Sequence, residues 1–432
     1  MLSPADPPGR AADFGAVATR RADDSRSGTL EELRRIVRRI EQARPPRPAP
    51  EPVEKIVGGE LVETADGPLV VVRREYPLSH QHGRLALAHA QDVSPAALGL
   101  IARAPLAAPE TRGLVFLDTE TTGLAGGTGT YAFLVGVGYA EADRFVVIQH
   151  FMRDFDEEPA LLAALEPLLT GASGLVTFNG TGFDLPLLET RFVLARRRWP
   201  GTLGHVDLLH PARRVWASRF EDCRLGTLER EVLGLIRDED VPGALIPALY
   251  FDYLRHRRAA PLARVFSHNR ADVLSLAALL GWFTRALDGP LAALLPAELA
   301  GLGRLWERVD PDRSAACYRE ALGAGLDGLD AHRARLRLAL WEKRKAHWDA
   351  ACELWQAAAG TAVFDLRPWE ELAKYHEHRR RDLATARAVV REALELAAAA
   401  AAMPTVLQAL RYRHARLERR LQAGRSEAYR TV

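Results

Sequence analysis

Cysteine is scarce. Only Cys223, Cys317 and Cys352 occur in 432 residues, none in a CxxC pair, which excludes a disulfide scaffold and a cysteine-based zinc module. The three read as reduced thiols. No apolar run approaches the roughly 18 residues that a membrane-spanning helix needs. The N-terminal stretch MLSPADPPGRAADFG lacks the charged-then-apolar layout of a secretion signal. The chain is therefore expected in the cytoplasm and away from membranes. Lysine is nearly absent, so almost every cation is an arginine. No Lys-Ser/Thr pair follows the glycines Gly126 to Gly129 of GGTGT, which makes that stretch a turn rather than a phosphate-cradling P-loop.

What remains is an ordinary globular composition, 48% hydrophobic and 26% charged, long enough for two or three domains. Net charge is +2 overall. Residues 291–432 nevertheless carry 24 Lys plus Arg against 19 Asp plus Glu, a surplus of five.

Residues 1–50 read as a disordered segment, a short amphipathic helix and a linker. Thr29 and Glu32 form a capping box, Leu30, Leu33, Ile36, Val37 and Ile40 share one face, and RPPRPAPEP follows as extended chain. Residues 51–112 form a small β-rich lead-in, with KIVGGELVE, GPLVVVRREYPL and HGRLALAHA as expected strands. His80 and His82 in SHQHG have no third ligand nearby and read as a polar turn. The main domain spans 113–290. GLVFLD, TYAFLVGVGYA and RFVVIQHFM make a β-meander, and helical EEPALLAALEPLL, strand GLVTFNG and a helix from Asp184 follow. That order predicts an α/β domain with a mixed sheet.

Acids gather at particular places in this domain. Asp118 and Glu120 in LVFLDTETTGL lie one residue apart, so a strand points both to one face, about 7 Å apart. Asp184 in FNGTGFD and Asp272 in SHNRADVLSL fall where a strand or loop is expected to give way to a helix. Convergence of all four would demand a counter-charge, since like charges at about 4 Å repel by about 4 kcal/mol at an effective dielectric of 20. Oxygen-only ligands suit Mg²⁺ or Mn²⁺. Strand-end acids paired with arginines are the structural alternative.

FLDTETTGL, FNGTGFD and HNRADV together resemble the three motifs of the DEDD superfamily, the DnaQ-like 3′-5′ exonucleases of ribonuclease-H-like fold. More closely, GGTGTYAFLVGVGY, CRLGTLEREVLG and DVPGALIPALYFDYLR resemble the bacterial YprB-type ribonuclease-H-like proteins, over about residues 60–290. The resemblance implies that Asp118, Glu120 and Asp272 bind one metal ion and that Asp118 with Asp184 serves a second, for phosphodiester hydrolysis. His268 is the candidate general base, an imidazole that titrates near neutrality. It lies four residues before Asp272, whereas the histidine subtype places its base five before, here Ser267, and the tyrosine subtype four before. The resemblance also implies contacts of Thr121, Thr122, Gly123, Asn179 and Phe183 with the terminal nucleotide.

Residues 191–230 hold nine arginines and four acids, including Arg196, Arg197 and Arg198, a patch suited to a phosphate backbone or, otherwise, a solvated helix face. From Pro296 the pattern turns helical. SAACYREAL, AACELWQAA and ATARAVVREAL align at Ser314, Ala351 and Ala386, steps of 37 and 35 residues, which resembles a degenerate tetratricopeptide-like array. Plain helical hairpins are the alternative. Such a stack offers a groove for a protein partner or nucleic acid. The sequence thus predicts an α/β ribonuclease-H-like domain followed by an all-α helical-repeat domain. The expected activity is 3′-5′ exonuclease on single-stranded DNA or RNA with two Mg²⁺ or Mn²⁺ ions. A structure-specific endonuclease and a catalytically weak nucleic-acid-binding module are the alternatives.

Overall fold

A computed structural model describes residues 52–102, 113–123, 128–200, 204–238, 240–361 and 364–430, with side chains through Ala423, together with helical Arg35. The capping box and most of the N-terminal amphipathic helix, like Gly126 and Gly127, lie outside the described residues.

The described chain opens with helix α1 (Val53–Val57), where a strand is expected from KIV. Val53 and Val57, four apart, bury on one face. Gly58 at φ 65° ends the helix, its N–H donating to Lys55 O while Gly59 N–H reaches Glu54 O, a left-handed cap that glycine adopts without strain. Strands β1 (Glu60–Thr64) and β2 (Gly67–Pro77) follow as a hairpin. HGRLALAHA departs from the expected strand: it forms a two-residue ladder, β3 (Gln81–His82) with β4 (Leu85–Ala86), and a 3₁₀ turn. Leu87 and Ala90 there are buried against other elements rather than alternating across a sheet. Ser94 then caps α2 (Pro95–Ile101), accepting from Ala97 N–H.

The meander comprises β5 (Leu114–Thr121), β6 (Ala132–Glu141) and β7 (Arg144–Phe151). After α3 (Glu158–Thr170), β8 (Gly174–Thr177) runs parallel to β5. After α4 (Asp184–Leu194), β9 (Gly204–Asp207) runs parallel to β8. The sheet is therefore mixed, with seven strands in the order β1-β2-β7-β6-β5-β8-β9. The β1–β2 hairpin belongs to it, because β2 pairs antiparallel with β7 from Val70–Phe151 to Pro77–Arg144.

Helices cover both faces. Buried side chains of α3, α4 and α7 (Ile246–His256) pack on Val115, Leu117 and Phe133. The opposite core holds Leu114 and Phe116 with α2, α5 (Leu209–Trp216), and α6 (Leu225–Leu228) with the π turn Glu229–Leu233 that continues it. The 27-residue helix α8 (Leu262–Asp288) joins the first core through Phe266 and the second through Val273 and the turns beyond. It lies tight on β6. Gly136 and Gly138 sit opposite Asn269 and Val273, where an added Cβ would come within 2.3 and 2.5 Å. The spacings match, since two residues of strand advance about 6.6 Å and four of helix about 6 Å.

The remainder is helical: α9 (Pro296–Trp306), α10 (Pro311–Gly323), α11 (Gly328–Arg344), α12 (Trp348–Ala359), α13 (Leu366–Lys374), α14 (Leu383–Ala399) and α15 (Pro404–Arg430). Ser314, Ala351 and Ala386, the three aligned small residues, occupy α10, α12 and α14 and are all buried. Small side chains there let neighbouring helices approach. α9 joins the second of these cores, with Leu302, Leu305 and Trp306 in the cluster that holds Val215 and Trp216. Gly301 approaches Val215 so closely that a Cβ would meet its Cα at 2.5 Å. Among the described residues no helix is long and apolar enough to cross a membrane.

Candidate active site

Alternation along β5 decides where its acids point. Leu114 and Phe116 enter one core and Val115 and Leu117 the other, so Asp118 and Glu120 continue the first face, beneath α8. In the register they stand opposite Gly136 and Leu134. Asn269 of α8, fully buried, donates through Nδ2 to the main-chain oxygen of Asp118 at 3.2 Å and to its Oδ2 at 2.8 Å. The amide of Gln149 orients Asn269, donating through Nε2 to its Oδ1 at 2.9 Å and to Phe266 O at 2.8 Å.

Asp184 opens α4, where a negative charge meets the positive end of the helix dipole. Thr119 Oγ1 donates to its Oδ1 at 2.5 Å. The turn before it is held by Asp207 at the end of β9, whose carboxylate accepts from the N–H groups of Asn179 at 2.7 Å and Thr181 at 3.1 Å. Asn179 takes a left-handed φ of 65° there.

Asp272 departs from expectation. It lies well inside α8, not at a helix start, because nothing between Leu262 and Asp288 breaks the helix and the apolar residues on either side of it bury continuously. Its Oδ1 accepts from Arg237, which also bridges to Glu229. His268, one helical turn earlier, presents Nε2 to Asp272 Oδ2 at 3.6 Å while Nδ1 meets Asp240 Oδ1 at 2.7 Å. Behind Arg237, Ser275 donates to Glu229 and meets His82 Nε2 at 2.8 Å. His82 is thus a buried structural histidine, its pKa lowered to about 4 by burial and by Arg237 and His80.

Burial raises the Asp118 carboxyl far above the usual carboxylate range, reinforced by Asp272, Glu120 and Asp184. Glu120 is raised likewise by burial, Asp272, Asp184 and Asp240, with Arg237 opposing. Asp184 is pushed up to about 6 by burial, despite its bond from Thr119. Among the described residues no Lys or Arg forms an ion pair with Asp118, Glu120 or Asp184, whereas Asp272 is held by Arg237. The donor chemistry, all carboxylate oxygen, fits a hard divalent cation. In this arrangement, however, no group of three or more His, Cys, Asp or Glu side chains among the described residues closes to metal-holding distance.

A cleft of about 560 Å³ opens beside Asp118 and Asp184, outside the carboxyl ends of the parallel strands, where open α/β sheets place ligands. Thr121, Gly123, Asn179 and Phe183 line it, and Phe183 is 54% exposed. Four expected contacts fall elsewhere. Thr122 closes the hairpin, its Oγ1 accepting from Tyr131 N–H. Arg197 is held by Asp66 at 2.6 Å and Glu166 at 2.8 Å. Arg196 and Arg198 are exposed outside the cleft lining. Part of the basic stretch 191–230 is compensated, Arg191 by Glu158 and Arg219 by Glu298. Residues that the motifs did not single out are Thr119, Asp207, Arg237, Asp240 and Asn269. Asn269 lies inside HNRADV and Asp207 ends the apolar strand GHVD, the same signal that marked Asp118.

Seven strands around a parallel-to-antiparallel core, with carboxylates at the end of the first meander strand, define a ribonuclease-H-like protein. Residues 115–284 match the RNase H superfamily. Over 354 residues, 80% of this chain and 84% of the other, the sequence is 34% identical to the uncharacterized protein YprB of Bacillus subtilis (strain 168). The chain belongs to the YprB family of ribonuclease-H-like proteins.

Proposed function

We propose that the chain is a metal-dependent nuclease that removes nucleotides from the 3′ end of single-stranded DNA or RNA. Membership of the ribonuclease H superfamily supports a nuclease-like function. One observation carries the finer reading: the carboxylates of Asp118 and Asp184 line the cleft, with buried Glu120 two residues along the same strand, and among the described residues no cationic side chain forms an ion pair with any of the three. Unpaired acids so placed are costly in the free protein and become useful once cations arrive. Asp118, Glu120 and Asp272 would hold one Mg²⁺ or Mn²⁺ and Asp118 with Asp184 a second. When bound, two such ions supply charge stabilisation for in-line hydrolysis of a phosphodiester.

The chain's own groups then have distinct tasks. Asn269 fixes the Asp118 carboxylate through Oδ2. Phe183 offers an exposed ring at the cleft on which a terminal base stacks. Asp240 accepts from His268 Nδ1, which leaves Nε2 of the neutral ring as the acceptor for a proton from the attacking water.

Strands labelled at the 3′ or 5′ end, single and duplex, incubated with Mg²⁺, Mn²⁺ or EDTA, test this with wild type and Asp118→Ala. Stepwise shortening from the 3′ end that disappears in Asp118→Ala supports it. Internal cuts indicate an endonuclease, and metal-independent binding without cleavage indicates a binding module. If His268→Ala keeps the wild-type pH profile, the histidine leaves the mechanism.

A further inference from the structure

A second, chemically different cavity lies between α5 of the nuclease domain and the first helical hairpins. It measures about 410 Å³, and six arginines line it with one acid, Glu307: Arg214, Arg304, Arg308, Arg333, Arg337 and Arg367. Acids nearby compensate only part of this charge. Glu307 lies 3.4 Å from Arg337, Asp330 serves both Arg304 and Arg333, and Asp365 chelates Arg367. Six guanidiniums thus face three carboxylates. Arg214 and Arg308 are exposed and form no ion pair among the described residues.

A neighbouring cavity of about 390 Å³ shares Glu307, Arg308, Tyr318 and Arg337 and continues to Arg344. The cations therefore form a track rather than a pocket. On α11, Arg333 and Arg337 are one turn apart, about 6 Å, and Arg344 lies about 10 Å further along the axis. That length exceeds one phosphate and suits several in succession. Arginine's planar fork matches phosphate oxygens, and its weak hydration lowers the cost of pairing.

We propose that this track is a second binding site for a nucleic-acid backbone, holding the part of the strand that lies outside the catalytic cleft. Its position supports the link: α5 starts two residues beyond Asp207, which secures the Asn179 turn of the cleft, and carries Arg214 to the track. The proposal deepens the nuclease reading by supplying a length preference. Short strands reach the cleft alone, whereas long strands also engage the arginines.

The test is fluorescence anisotropy in EDTA with the Asp118→Ala chain, using single-stranded DNA and RNA of six and thirty nucleotides across a salt series. Arg214→Glu/Arg308→Glu is the informative variant, since neither side chain supports the fold, and Arg391→Glu on α14, outside the track, is the control. The double variant should bind the long strand at least tenfold more weakly and lower the slope of log K against log salt by about 1.4, two contacts at about 0.7 each. Binding of the short strand and of the control variant should be unchanged. Unaltered affinity and slope for the long strand would overturn the proposal, as would no binding of either nucleic acid or binding confined to a phosphopeptide probe. These outcomes are independent of cleavage: arginine-dependent binding without metal-dependent hydrolysis in the wild type would remove the nuclease reading and leave the track standing.

Discussion

Asn269 grips Asp118 at two points, its amide donating to both the main-chain oxygen and the carboxylate of the same residue. One buried side chain therefore fixes the position of β5 against α8 and the orientation of an acid of the site. Asn269→Leu removes the donor while filling the space, leaving the half-buried Asp118 carboxylate without its amide partner. The expected loss is about 1–3 kcal/mol, read by urea denaturation, together with a fall in cleavage of at least tenfold.

Gly136 makes that contact possible. Its added Cβ would sit 2.3 Å from Asn269 Oδ1 and 2.9 Å from Cγ, a buried neighbour bonded on both sides. Gly136→Ala should cost about 1–3 kcal/mol by overpacking. In an Asn269→Ala background the same substitution should cost markedly less, because the obstacle is gone. A double-mutant cycle measures the difference, and strict additivity would show that the helix shifts as a body.

Arg237 neutralises Glu229 and Asp272 together and is itself only 14% exposed at the side chain. Arg237→Gln leaves buried Glu229 and half-buried Asp272 without their cation, and stability in EDTA should fall by about 3 kcal/mol. Mn²⁺ should raise the melting temperature of this variant more than that of wild type, since the cation takes over part of the lost compensation. Equal shifts in calorimetry would place metal binding away from Asp272.

Asp184 gives a pH signature in the metal-free protein. Its folded pKa, about 6, exceeds the ordinary value of 3.8, so the folded state favours the protonated acid. That contribution is present below the unfolded pKa and is lost as pH rises through about 6. Asp184→Asn mimics the protonated form and keeps an acceptor for Thr119. It should match wild type near pH 4 and be more stable above pH 6 by up to about 3 kcal/mol, at 1.36 kcal/mol per unit. Denaturation in EDTA across that range checks it.

The sheet and the acids at its strand ends are legible in sequence for one reason: strand periodicity is local. Asp118 and Glu120 announce themselves because they continue an apolar alternation and then violate it. The partners of those acids are not local. Arg237 and Asp240 sit in the charged stretch GLIRDEDVPG and reach the site only because α8 brings Asp272 and His268 to them. KIV read as strand because valine and isoleucine favour it, yet burial of Val53 and Val57 on one face won. The arginine patch at 191–230 was counted by charge without the acids that distant elements contribute, and Arg197 shows the consequence, paired to Asp66 and Glu166.

The hairpin at residues 60–77 also governs how the domain can be dissected. It caps β7, whose Phe145, Val146 and Val147 are almost wholly shielded, and hands the outer margin to β1, five residues with two glutamates. A fragment begun at residue 113, near the start of the superfamily match, would keep β7 paired with β6 but bare its other edge along eight residues, a template for chain-to-chain pairing and precipitation.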